Sequence, residues 1–267
     1  MLLNQSMLFE FFIIKALVSI LIVTLLTVIA ERWSSKIAGT ISGYPTMTAI
    51  SLFFFGLEIS PQFASNSVPY NFLGVIATQF FTYIYYWSTL IFKKRIILFS
   101  SILAMVAYFL AVYTLSFLTI DSFGGFLLAL ISTLVFIKIF NDIKDTKITS
   151  PIKFSNRVLL FRVLVTASII VLITEIAKFV GPRWAGLLSS FPSTVFPLIL
   201  IIHFSYKKEN VHSIIKNLPR GNLVLIFYSL SVSFFYLAYG VYIGTIISLF
   251  VVTLISILLW YYKYKRP

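Results

Sequence analysis

The chain has 267 residues, 60% of them hydrophobic and 11% charged, with 21 Lys and Arg against 8 Asp and Glu for a net charge of +13. A mean hydropathy of +1.00 excludes an ordinary soluble domain, which could not bury this much Phe, Ile and Leu without a large apolar surface. Cysteine is absent, which excludes disulfides, thiolate metal sites and cysteine nucleophiles.

From the N-terminus, "MLLNQSMLFE" lacks a basic stretch, and no small-residue cleavage pattern follows the first apolar run. That run, including "ALVSILIVTLLTVIA" at 16–30, is therefore read as a retained spanning helix and not as a removed signal. Crossing the hydrocarbon takes about 20 apolar residues. Nine spans are expected on that basis, at 9–30, 37–57, 71–92, 96–117, 123–140, 158–179, 184–205, 222–239 and 241–261. Asp121, Gly124 and Gly125 mark the turn that divides 96–140, and Gly240 in "AYGVYIG" divides 222–261. Lys15 and Arg162 lie near helix ends, from which they can snorkel to the interface.

The basic residues orient these spans. Alternate loops carry Arg32 and Lys36, then Lys93, Lys94 and Arg95, then Lys144, Lys147, Lys153 and Arg157. The same side takes Lys207, Lys208, Lys216 and Arg220, and finally Lys263, Lys265 and Arg266. The opposite side receives Glu58, Asp121 and Arg183. Cytoplasmic loops collect Lys and Arg, so the chain is expected in the cell membrane, multi-pass, with its N-terminus outside and its C-terminus in the cytoplasm. The same rule accounts for the net charge without nucleic acid. "KIFNDIKDTKITSPIKFSNR" at 138–157 reads as a solvated linker.

One unusual segment recurs. "KIAGTISGYPTMTAI" at 36–50 and "RWAGLLSSFPSTVFP" at 183–197 align without a gap when displaced by 147 positions. The shared pattern is [KR]-x-A-G-x-x-S-x-[YF]-P-[TS]. With a small shift, "SVPYNFLGV" (67–75) parallels "NLPRGNLVL" (217–225), each with a Pro just before another expected helix. Spans one to four thus match spans six to nine, with span five as a connector. Units that begin five spans apart are inserted in opposite senses, the construction of many secondary transporters. The expected fold is an all-α integral membrane protein of two inverted four-helix repeats. Its parts are residues 1–120, a connector helix and cytoplasmic linker at 121–157, and residues 158–267.

Each unit resembles the small GlpM-like bacterial membrane proteins, which carry a comparable Ala-Gly segment running into an aromatic-Pro and then an apolar helix. The whole chain resembles a family of double-length polytopic membrane proteins, through "SGYPTMTAISLFFFGLE" in the first half and "GPRWAGLLSSFP" in the second. The resemblance covers about thirty residues in each half. It implies a membrane fold and no defined mechanism.

Pro45 and Pro192 lie about 12 Å into their expected spans at 1.5 Å per residue. Proline removes an amide donor and clashes with the preceding turn, so each is expected to open the second half of a broken helix. Such a break turns backbone N–H groups and the positive dipole end inward, where an anionic group can be received. The expected substrate site comprises Ser42, Tyr44, Pro45 and Thr46 in one half, with Ser189, Ser190, Phe191, Pro192 and Ser193 in the other. Close helix packing explains Ala, Gly and Ser at such positions equally well.

Two carboxylates are expected in or beside spans, Glu31 at the end of the first and Glu175 inside the sixth. Intramembrane ionisable groups mark ion or proton pathways, or else pair with a neighbour. For Glu31 the neighbours are Arg32 and Lys36, and for Glu175 they are Lys178 and Arg183. His203 lacks companions at metal-ligand spacing. There is no nucleophile elbow, P-loop or paired-carboxylate pattern. The expectation is therefore a non-enzyme with no cofactor and no metal. The leading function is a secondary transporter or lipid-carrier flippase with a central site suited to an anionic solute. The alternatives are a non-catalytic membrane scaffold or assembly factor of an envelope pathway, and a small channel. Expected partners are the lipid bilayer, a small-molecule or lipid substrate and a second copy of the chain, with no nucleic acid.

Overall fold

Ser60-Pro61 shows how a local signal sets an element. Ser60 sits in extended backbone and its hydroxyl accepts from the Phe63 amide at 3.0 Å, while Pro61 occupies the first helical position. This pairing of a hydroxyl N-cap with a first-turn proline is a strong helix start, and it opens a 31-residue helix ahead of the expected span at 71. The computed structural model describes residues 13–22, 24, 46–144 and 156–265. Within them run α1 (Ile13–Ile22), α2 (Thr46–Glu58), α3 (Pro61–Ile91), α4 (Ile96–Leu115) and α5 (Ser122–Ile139). A 3-10 turn at Phe140–Asp142 is followed by α6 (Asn156–Ser189), α7 (Val195–Ser205) and α8 (Lys208–Lys265). No strand occurs among the described residues.

The expected nine spans are not what the described residues display: eight helical elements run through them. The expected division of 222–261 is present inside the last of these, α8, where two helices meet at Gly240 with φ 75 and ψ 178. That backbone region is essentially closed to residues with a Cβ, and no atom lies within 4 Å of where one would sit. Conformation alone therefore demands glycine there. The chain bends sharply at this point. A Cβ on Gly244 would lie 2.8 Å from the Phe235 carbonyl oxygen, whereas nine residues of straight helix separate their ends by about 13 Å. The four-plus-four inverted repeat is not what the described residues display either. Opposite α1 to α4 stand five helical segments, because α6 divides at Gly181 and α8 at Gly240, with α7 between them.

Among the described residues, four helices are long and apolar enough to cross a membrane, at Ile96–Leu115, Ser122–Asp142, Val163–Ser189 and Lys208–Leu258. Their outward faces are apolar, as Ile102, Val106 and Phe109 on α4 and Ile131 and Leu134 on α5 show. A face of this kind has no favourable contact with water and suits lipid. The centre is α3, which packs against α2, α4, α5, α6 and α8. Phe72, Phe81 and Tyr85 are fully enclosed along it. Gly74 of α3 lies against the Leu187 carbonyl and Gly186 of α6 against the Ser67 carbonyl, too close for any side chain. The Ala-Gly of the second recurring segment thus serves a close helix crossing.

Candidate functional site

Helix α6 stops at Ser189, and helix resumes at Val195. The interruption falls where the sequence places it, with Pro192 buried inside it. Pro192 does not itself begin the second half-helix, which starts three residues later. The Ser193 amide donates back to Phe191 O at 2.7 Å, and the Phe196 amide donates to Pro192 O at 2.8 Å. Pro192 and Pro197 have no amide hydrogen, so the positions from 192 to 197 leave only the Thr194 and Val195 amides outside these bonds.

A helix end leaves its last four carbonyls without helical partners. Here donors from several elements reach them. Tyr108 of α4 donates to Leu187 O at 3.2 Å, and the Phe191 amide to Leu188 O at 2.9 Å. Thr48 of α2 donates to Ser189 O at 3.3 Å, and Thr78 of α3 to Ser190 O at 2.6 Å. Past the break, Thr166 of α6 donates to Ser193 O at 3.0 Å. Irregular backbone within a membrane is tolerated only where protein or water satisfies it, and here hydroxyls from neighbouring helices do so.

Asn71 of α3 ties this break to the rest of the bundle. Its Nδ2 donates to the hydroxyls of Ser189 and Ser190, each at 2.7 Å. Its Oδ1 accepts from Ser229 of α8 at 2.7 Å, and its backbone carbonyl accepts from Ser190 at 2.9 Å. Ser193 donates to the Met47 sulfur at 2.8 Å, which brings the start of α2 against the break. Thr46, the first residue of α2, is buried, whereas Phe191 is half-buried and edge-on to Tyr108 with ring centroids 5.2 Å apart. Of the expected site, Thr46 and Ser189 to Ser193 therefore gather in one region. Ser42, Tyr44, Pro45 and Glu31 lie outside the described residues.

The second polar constellation joins three helices. Lys15 of α1 is enclosed, at 0% side-chain exposure, and does not snorkel to an interface as the sequence suggests. It bonds Glu58, the last residue of α2, at 2.9 Å, and also pairs with Glu175 of α6. Lys178 contacts Glu58 and Glu175, each at 2.9 Å. Each lysine thus touches both carboxylates, and the set of four is neutral. Glu58 is 6% exposed, and its Oε1 has no hydrogen-bond partner among the described residues. Glu175, at 36%, is the member most open to solvent. The expected Glu175–Lys178 pairing is present, while Arg183 lies over the Tyr70 ring at 5.3 Å. Sequence reasoning missed Glu58 as the partner of Lys15. The available signal was a lone lysine within "FFIIKALVSI", which requires a counterion if it stays inside.

Helix α2 links the two constellations. Thr48 lies at the break and Glu58 in the charge cluster, ten residues or about 15 Å of helix apart. His203 bonds Tyr85 through Nδ1 at 2.9 Å, and no group of three or more metal-ligating side chains occurs among the described residues. The arrangement among the described residues is that of an all-helical protein with several membrane-length apolar helices and two polar constellations in its interior. No protein family, curated protein or solved structure matches the chain.

Proposed function

We propose that the chain is a secondary transporter or lipid-carrier flippase of the cell membrane, whose substrate passes the junction between the two recurring segments. The observation that carries this reading is the interrupted helix at 190–194, surrounded by hydroxyl and amide side chains from several helices. A polar junction of this kind inside an apolar bundle is costly unless used. The recurrence of the Ser-x-(Tyr/Phe)-Pro segment supports an internally duplicated design, as in many secondary transporters. In the conformation described, Asn71 donates to the Ser189 and Ser190 hydroxyl oxygens and accepts from the Ser190 and Ser229 hydroxyls. A substrate's polar group, an anionic one being favoured, would replace Asn71 at those hydroxyls as helices move.

The Lys15–Glu58–Glu175–Lys178 set then acts as a latch between α1, α2 and α6. Protonating Glu175, its most accessible member, removes the charge that holds two of the four contacts. Opening of the latch is thereby coupled to proton entry. Uptake of small anions by proteoliposomes, with and without a pH gradient, tests the reading. Ser189→Ala and Ser190→Ala should each remove a donor worth roughly 0.5–1.5 kcal/mol, up to about tenfold in substrate affinity. Absence of uptake for all anions and lipid carriers tried, by protein that remains folded, would rule transport out.

One observation favours the alternative of a membrane scaffold or assembly factor. The break is satisfied by the protein's own side chains, as a static packing element requires. Under that reading the serine substitutions change stability alone.

A further inference from the structure

A cavity of about 850 Å³ opens between the start of α4 and the end of α7, at the opposite end of α3 from the charge cluster. Its walls have two distinct characters. Lys93, Arg95, Lys207 and Lys208 stand around it with a single carboxylate, Glu209, among the lining residues. Its floor is apolar, formed by Ile97, Leu98, Phe196, Leu200 and Phe204. Lys93, Arg95 and Lys207 are exposed. Arg95 adopts φ 48 and ψ 38, the left-handed region that residues with a Cβ enter at a cost. That conformation places a strained cation at the turn into α4.

A shallow, open depression of about 540 Å³ continues along one face of α4. It shares Ser101 with the first and is otherwise lined by Ile102, Met105, Val106, Phe109 and Leu110. From Ser101 to Leu110 the helix rises about 14 Å, close to half of the roughly 30 Å hydrocarbon core and so to the depth of one leaflet. A cationic head chamber therefore opens into an apolar groove of leaflet depth on a lipid-facing helix. A soluble anion would use only the first part. An amphiphile with an anionic head uses both, and basic pockets between membrane helices hold such headgroups.

We propose that this paired cavity is a binding site for an anionic phospholipid. The phosphate lies among Lys93, Arg95, Lys207 and Lys208, and one acyl chain lies along Ile102 to Leu110. The site adjoins the helix break through Phe196 and Phe109 but uses none of the side chains bonded to Asn71, and it does not depend on transport.

The test uses the full chain in detergent with added phosphatidylglycerol or phosphatidylcholine, reading bound lipid by native mass spectrometry. Phosphatidylglycerol should be retained at least about tenfold better than phosphatidylcholine, and millimolar inorganic phosphate should not displace it. The triple variant Lys93→Gln, Arg95→Gln, Lys207→Gln should lose that preference. Met105→Trp, which fills the groove and leaves the charges, should weaken retention. Lys138→Gln with Lys144→Gln, off the cavity, should not. Equal retention of the two lipids by the unaltered protein would overturn the proposal, whatever the variants do. Displacement by inorganic phosphate would assign the chamber to soluble anions and overturn it as well. So would undiminished retention in the triple variant or in Met105→Trp, or loss in the control pair.

Discussion

Asn71 carries more of the interior's hydrogen bonding than any single hydroxyl around it. Its amide group serves three serines on two helices, all of them buried. Asn71→Leu keeps the approximate volume but leaves the Ser229 hydroxyl without its acceptor and removes the donor to the Ser189 and Ser190 oxygens, whose own hydroxyls still reach Gly186 O and the backbone carbonyl of residue 71. An unsatisfied buried polar group costs about 1–3 kcal/mol. The expected outcome is a large fall in the thermal midpoint of the detergent-solubilised protein. Ser229→Ala alone, which removes one donor to Oδ1, should cost about 1 kcal/mol by the same scale. Equal stability of Asn71→Leu and the unaltered chain would show that the network holds nothing together. Lys15 presents the charged counterpart. Lys15→Met leaves Lys178 alone against two carboxylates, one of them the almost fully buried Glu58, so the set carries one uncompensated negative charge, and breaking a buried pair from one side costs up to about 3–5 kcal/mol. Adding Glu58→Leu to Lys15→Met should recover much of that loss, since it removes the uncompensated charge. A double variant no more stable than the single one would place the role of Lys15 in packing against Phe54, whose ring lies 5.9 Å away.

At the scale of elements, the two glycine breaks make a matched pair. Gly181 has φ 75 and ψ 172, and Gly240 has φ 75 and ψ 178, with no atom within 4 Å of where a Cβ would stand at either. Space is free and conformation is not, so Gly181→Ala and Gly240→Ala should each cost about 1–3 kcal/mol through backbone strain alone. Gly186→Ala should destabilise by a different route, because its Cβ would enter the Ser67 carbonyl. Thermal midpoints of the three variants check this. Neutral effects at 181 and 240 would mean that the helices straighten there without loss. Gly240 was legible in the sequence, since the apolar run 222–261 is too long for one span and has few other places to bend. The Ser189–Ser193 interruption was legible too, through a proline after small and hydroxyl residues. Its restart at Val195 was not, because the turn closed by the Ser193 and Phe196 amides is a tertiary compromise with no local code. The early start of α3 at Pro61 was readable from Ser60-Pro61, but hydropathy points past it. The polar residues of α3, among them Ser65, Asn71 and Gln79, lower its apolar signal while other helices shield them. Partners distant in sequence, such as Glu58 for Lys15 and Asn71 for Ser189, follow from packing and carry no local mark.

Across the whole molecule, charge is segregated along α3. At its start stands the neutral set of Lys15, Glu58, Glu175 and Lys178. At its end stand Lys93, Lys94 and Arg95, joined by Lys208, whose Nζ reaches Thr89 O at 3.4 Å. The helix has 31 residues, about 46 Å at 1.5 Å per residue, which exceeds a hydrocarbon core of roughly 30 Å. Taken as a spanning helix, it is predicted to set its two ends on opposite sides of a bilayer. The basic end is predicted to be cytoplasmic, because positively charged loops remain on that side. The chain has no cysteine, so single substitutions can be labelled without background. Gln62→Cys and Lys94→Cys are both at exposed positions. An impermeant maleimide applied to intact cells should modify position 62 and spare position 94, which should react only after permeabilisation. The reverse pattern would invert the orientation. Labelling of both positions from the same side would remove α3 as a spanning helix, and the interior site with it, since Asn71 would no longer lie at membrane depth.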